Sequence, residues 1–177
     1  MNYITPKTNS DLTVFCKLIE QAPNKGIAEQ ANCRAIKFDD ADGFVESLTI
    51  NYGTNCRVDY FEIIGNGLIM IEMKSIELKI RHLLNRSTTR KGMPKKDIPR
   101  KLLSNLENKF TDSLKIIQNE INSSLIPVIN YLVVANNTNV IMLDKYLPKN
   151  LRKKPFVICK TKEIYNKLST LGTRLCP

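Results

Sequence analysis

The chain has no tryptophan, a single histidine and only 7% aromatic residues among its 177. With His82 alone, histidine-dependent nuclease chemistry and a Ser-His-Asp triad lack their parts, and His82 reads as structural or surface. No CxxC pair occurs among the five cysteines, Cys16, Cys33, Cys56, Cys159 and Cys176, so a zinc site is not expected. Their odd number and wide spacing fit a reducing, cytoplasmic compartment. The stretch Met1 to Asp11 is polar and has no signal-peptide core. No apolar run reaches membrane-spanning length, so no membrane partner is expected. Glycine-rich phosphate loops are missing too: Gly65-Asn66-Gly67 is not followed by Gly-Lys-Ser/Thr. The acidic run Asp39-Asp40-Ala41-Asp42-Gly43 lacks the spacing and distal glutamate of a calcium loop and reads as a turn.

What the chain has in excess is positive charge, +10 in total, and it is unevenly distributed. Residues 1–78 carry 7 basic and 11 acidic side chains, whereas residues 79–177 carry 20 basic and 6 acidic. An acidic half beside a basic half is what a metal site next to a polyanion-binding surface requires. Hydrophobic content of 42% is enough for a core, and the length suits a single domain spanning 1–177.

Ser10-Asp11 followed by Leu12, Val14, Phe15, Leu18 and Ile19 reads as a helix over about 10–22. Residues 25–43 are ambiguous, with a second short helix over 26–35 as one option. Phe44 to Asn51 reads as a strand. Ile76 to Leu84 supports strand and helix readings alike. Residues 85–100 read as a basic loop containing Arg86, Arg90, Lys91, Lys95, Lys96 and Arg100. A helix is expected over 99–122, since Leu103, Leu106, Phe110, Leu114, Ile117 and Ile121 repeat at helical spacing and Pro99 suits its first turn. A buried central strand follows over 126–135, then short strands at 140–143 and 155–159, and a closing helix over 162–171 ended by Gly172. A second basic cluster, Lys149, Arg152, Lys153 and Lys154, precedes the last strand.

The chemistry concentrates in residues 57–74. Asn66-Gly67 predicts a tight hairpin with a type I′ turn. That turn would set Ile63 opposite Met70, Phe61 opposite Glu72 and Asp59 opposite Lys74. Asp59, Glu72 and Lys74 then share one face, with Asp59 and Glu72 diagonal neighbours. A one-residue slip would turn Asp59 to the other face. Two carboxylates suit a hard cation, Mg²⁺ or Mn²⁺, with waters and a phosphate completing its shell. The carbonyl of Met73 is a third candidate ligand. Lys74 would orient the attacking water and offset charge at phosphorus.

An acid opening one hairpin strand and Glu-x-Lys in the next, here Asp59 and Glu72-Met73-Lys74, resemble the signature of the PD-(D/E)XK nuclease superfamily, the restriction-endonuclease-like fold. Val58 stands where that signature often has proline. The resemblance covers roughly residues 10–135 and implies an α/β domain of order α-β-β-β-α-β, a mixed central sheet flanked by helices. It further implies a metal-dependent endo- or exonuclease acting on DNA, or on structured RNA. Asp59 and Glu72 would hold the metal and Lys74 would be the catalytic lysine. By the same resemblance Glu46 or Glu20 would add an acid, Lys109, Lys115 and Gln118 would line the phosphate site, and a homodimer is an option. The alternatives are a non-catalytic nucleic-acid-binding module and a protein-interaction module on the same fold.

Overall fold

A computed structural model describes residues 9–21, 28–53, 55–84 and 94–176. Its centre is a mixed six-stranded sheet in the order β1-β2-β3-β4-β5-β6. The strands are β1 (Cys16–Gln21), β2 (Glu29–Lys37), β3 (Tyr60–Ile64), β4 (Gly67–Met73), β5 (Ile126–Val134) and β6 (Phe156–Lys160). The helices are α1 (Asn9–Thr13), α2 (Ile76–Leu84), α3 (Ile98–Glu120), α4 (Val140–Asp144) and α5 (Thr161–Ser169). Strands β1 to β4 pair antiparallel, and β5 and β6 run parallel to β4.

The α/β class and the mixed sheet agree with the sequence reading, but the N-terminal third departs from it. The expected helix over 10–22 is five residues of α1 followed by edge strand β1. Its apolar residues fall at spacings that both structures share, and pairing with β2 decides between them. The option of a helix at 26–35 is replaced by β2. There Ala31, Cys33 and Ala35 are buried while Gln30, Asn32 and Arg34 are exposed, an alternation of period two. The expected strand over 44–51 is a single 3-10 turn, Val45–Ser47, leading into irregular backbone. Phe44 is pulled inward there, packing against Phe15, Phe38 and Phe61. Residues 140–143, expected as a strand, form α4.

Further along, the structure settles the segment left open between strand and helix and agrees with the later helices and strands except α4. Ile76 to Leu84 is helical, burying Ile76, Ile80 and Leu83. Helix α3 is roughly 35 Å long at the standard rise of about 1.5 Å per residue. It buries Ile98, Leu102, Leu106, Phe110 and Ile117 as one stripe. That stripe covers one face of the sheet, meeting Leu68, Met70, Leu132 and Val134. Helix α5 covers the opposite face with Ile164 and Leu168 against Ala31, Cys33, Ala35, Ile71 and Val133. Small side chains on β2 give α5 room to approach. The closing helix ends before Gly172, whose φ of 87° is unstrained only for glycine.

Strands β2 and β3 pair at only two positions, Ile36↔Phe61 and Lys37↔Tyr60. The C-terminal segment compensates for this short ladder. The buried carboxylate of Glu62 accepts hydrogen bonds from the backbone N–H groups of Leu175 and Cys176 and pairs with Arg174, which also donates to the carbonyl of Arg34. Burial pushes the Glu62 carboxyl above its usual range, while these N–H donors and Arg174 pull it back. A disulfide joins Cys16 of β1 to Cys176 across 160 positions of sequence.

Candidate metal and phosphate site

The β3–β4 hairpin is tight, but its turn is one residue earlier than expected. Ile64 pairs with Gly67, Ile63 with Leu68 and Phe61 with Met70, so Gly65 and Asn66 form the loop. Gly65 alone carries positive φ, at 55°, the pattern of a type II′ turn rather than type I′. The register therefore differs by two residues from the expected one. An even slip leaves every side chain on its face. Continuing the ladder one step past Tyr60↔Ile71 sets Asp59 directly across from Glu72 instead of diagonal to it.

Asp59 Oδ2 accepts a hydrogen bond of 2.6 Å from the backbone N–H of Met73, which ties it to the end of β4. Its own carbonyl accepts from Phe38 N–H, and the preceding N–H of Val58 donates to the buried hydroxyl of Ser113 on α3. The acid is thus clamped to β2, β4 and α3 together. Glu72 is 1% exposed. Its Oε1 lies 3.4 Å from Lys74 Nζ, and its Oε2 lies 2.9 Å from Lys109 Nζ. Lys74 Nζ also donates to Asn105 Oδ1 at 2.6 Å. Asn105 and Lys109 stand one helical turn apart on α3, so a single helix face supplies both contacts.

Burial drives the electrostatics of this group. It raises the Asp59 carboxyl to about 7, helped by the negative charge of Glu72 and opposed by Lys109 and the Met73 N–H. Lys74 is pulled down by burial, with Glu72 acting against that and Lys109 adding to it. Burial also works against the Lys109 ammonium, yet Glu72 and Asp59 outweigh it and hold that charge more firmly than usual.

Asp59, Glu72, Met73 and Lys74 line a cavity of about 820 Å³ at the C-terminal end of β4. Glu20, Gln21, Lys37, Asp40 and Tyr60 form another wall, and Ser75, Leu78, Lys79 and His82 of the β4–α2 junction a third. Leu78, Lys79 and His82 lie on an exposed side of α2, away from the buried Ile76, Ile80 and Leu83, with Ser75 just before the helix. Sequence reading did not find this wall, because it left 76–84 undecided between strand and helix. Once the segment is read as a helix, the polar stripe is visible. Asn105 went unnoticed as well, although its spacing of four from Lys109 marks it.

Of the residues expected at the site, Glu20 reaches the cavity wall and Glu46 does not. The carboxylate of Glu46 lies 3.4 Å from Arg57, which is also bonded to Asp39 at 2.8 Å. The cause is the 3-10 turn that stands in place of the expected strand. Lys115 pairs loosely with Asp112 at 4.0 Å, and Gln118 donates to the carbonyl of Leu125. Neither lines the cavity. Lys95, Lys96 and Arg100 are exposed where α3 begins. Because Asn105 and Lys109 meet the end of β4, these earlier positions extend past that end of the strand. Arg86, Arg90 and Lys91 lie outside the described residues.

Among the described residues no cluster of three histidine, cysteine, aspartate or glutamate side chains could hold a metal ion. Asp59 and Glu72 supply two carboxylates. A cation suits the space beside them, since the Lys109 ammonium stands there, attracted by both acids. Among the described residues no helix is long and apolar enough to cross a membrane. No family model, curated protein or solved structure matches this chain.

Proposed function

We propose that the protein is a metal-dependent nuclease of the PD-(D/E)XK type that hydrolyses phosphodiester bonds, with DNA preferred over structured RNA. The observation that carries this reading is the convergence of Asp59 and Glu72, from facing strands, with Lys74 on the wall of a large cavity, and with Lys109 of α3 paired to Glu72 behind it. The order of the core elements supports it. An antiparallel β2-β3-β4 meander is followed by α3 and then by β5 parallel to β4. The departure is at the start, where β1 stands in place of the first core helix.

Asp59 and Glu72 would hold Mg²⁺ or Mn²⁺, with the Met73 carbonyl as a further ligand and water and phosphate completing the shell. When bound, such an ion lowers the pKa of its water and polarises the phosphoryl oxygens. Lys74, fixed by Asn105 and Glu72, would orient that water and offset the charge that develops at phosphorus. Lys79 of α2, with Lys95, Lys96 and Arg100 at the start of α3, provides cationic surface for the flanking phosphates. Homodimerisation is part of the proposal only as a means of cutting both strands. A cytoplasmic setting rests on the odd, scattered cysteines, and the Cys16–Cys176 disulfide weighs against it.

One observation favours the non-catalytic nucleic-acid-binding alternative: both oxygens of Glu72 are engaged by lysines, as in a structural ion network. Cleavage of plasmid and single-stranded DNA in Mg²⁺, Mn²⁺ or EDTA separates the two readings. The nuclease reading expects metal-dependent cleavage that falls by about 100-fold or more in Glu72→Ala and Lys74→Ala. Salt-sensitive binding with no cleavage in any metal would leave the binding module instead.

A further inference from the structure

We propose that Lys109 is the resident counter-ion of the Asp59–Glu72 pair, and that a divalent metal enters the site by displacing its ammonium from Glu72. The inference rests on the metal-site reading above. Lys109 approaches Glu72 from α3 at 2.9 Å, closer than Lys74 at 3.4 Å. The pair is sheltered, with the side chain of Glu72 2% exposed and that of Lys109 21% exposed. Lys109 also interacts favourably with Asp59, whereas the principal attraction on Lys74 comes from Glu72 alone. Its ammonium therefore stands against Glu72 Oε2, an oxygen that a metal ligated by Glu72 would need.

The two lysines differ in what else holds them. Lys74 is anchored by Asn105 at 2.6 Å, and its backbone N–H is bonded to Val133. The ammonium of Lys109 has no hydrogen-bond acceptor other than Glu72 among the described residues. With both acids ionised, as metal ligation requires, two carboxylates and two ammoniums form a set with no net charge. Adding a divalent ion beside an ammonium that stays in place sets like charges against each other in a sheltered site. Lys109, which has a long flexible stem and a single acceptor, is the group free to leave.

Calorimetric titration of Mn²⁺ into the full chain tests this with wild type, Lys109→Met and Glu72→Gln, each checked for folding by circular dichroism. Removing the competing cation is expected to tighten Mn²⁺ binding about tenfold in Lys109→Met, while Glu72→Gln weakens it. Equal or weaker binding by a folded Lys109→Met, with Glu72→Gln still impaired, overturns the displacement and spares the metal site. Failure of wild type and Lys109→Met alike to bind Mn²⁺ overturns the metal site itself. Nitrogen-15 resonances of the lysine ammonium groups provide a second measurement on unaltered protein. Saturating Mg²⁺ is expected to shift Lys109 away from its hydrogen-bonded position, and an unmoved signal counts against displacement.

Discussion

Asp59 is predicted to make the metal-free protein lose stability as pH rises, the reverse of a salt-bridged carboxylate. Its folded value is raised from 3.8 to about 7 by burial and by the neighbouring charge of Glu72. The folded state therefore holds this proton more tightly than the unfolded chain does. The sign follows: the contribution is complete below about pH 4 and is lost as pH climbs through about 7. At about 1.36 kcal/mol per unit, the full loss is on the order of 4 kcal/mol, of which roughly 3 falls between pH 5 and 8. Asp59→Asn removes the charge yet keeps an oxygen for the Met73 N–H. Urea unfolding in EDTA, followed by circular dichroism at pH 5 and pH 8, gives the comparison. Relative to wild type, the variant should be more stable at pH 8 than at pH 5 by roughly 3 kcal/mol. Mg²⁺ should recover part of the wild-type loss at pH 8 and little in the variant, because a cation favours the ionised acid. Parallel pH curves for the two proteins would refute the reasoning, since they would mean that Asp59 ionises freely in its folded setting.

Two further outcomes are expected. Ser113→Ala leaves the buried N–H of Val58 without its acceptor and should cost about 1–3 kcal/mol in urea unfolding; a change well under that range would show that the N–H finds another partner. Lys79→Ala, on the cavity-facing side of α2, should weaken oligonucleotide binding several-fold and reduce the slope of log affinity against log salt by about 1, with an unchanged slope excluding α2 from the phosphate contacts.

The site's strand residues were legible because they are tied to a local signal. Gly65-Asn66-Gly67 announces a hairpin wherever it stands, and period-two alternation assigns Asp59, Glu72 and Lys74 to one face. The exact turn was not legible. Both glycines allow positive φ, and the structure uses the first. The site survives this because the resulting slip is even. Glu46 shows the opposite case: its expected position depended on a strand that does not form, and Arg57 binds its carboxylate instead.

Long or strongly patterned segments could be read from the sequence alone: α3, β5, β6, α5 and the hairpin itself. Their periodicity spans enough residues to leave one answer, and burial of the marked stripe then follows. Short segments could not. Cys16 to Ile19 and Ala31 to Ala35 fit more than one structure locally, and only hydrogen bonding between β1 and β2, with α5 packed over the small β2 side chains, makes them strands. Likewise the composition announced acids in one half of the chain and lysines in the other. It took the crossing of α3 over the end of β4 to bring Asn105 and Lys109 to Lys74 and Glu72, because that contact joins residues more than 30 positions apart and depends on how a helix lies on a sheet.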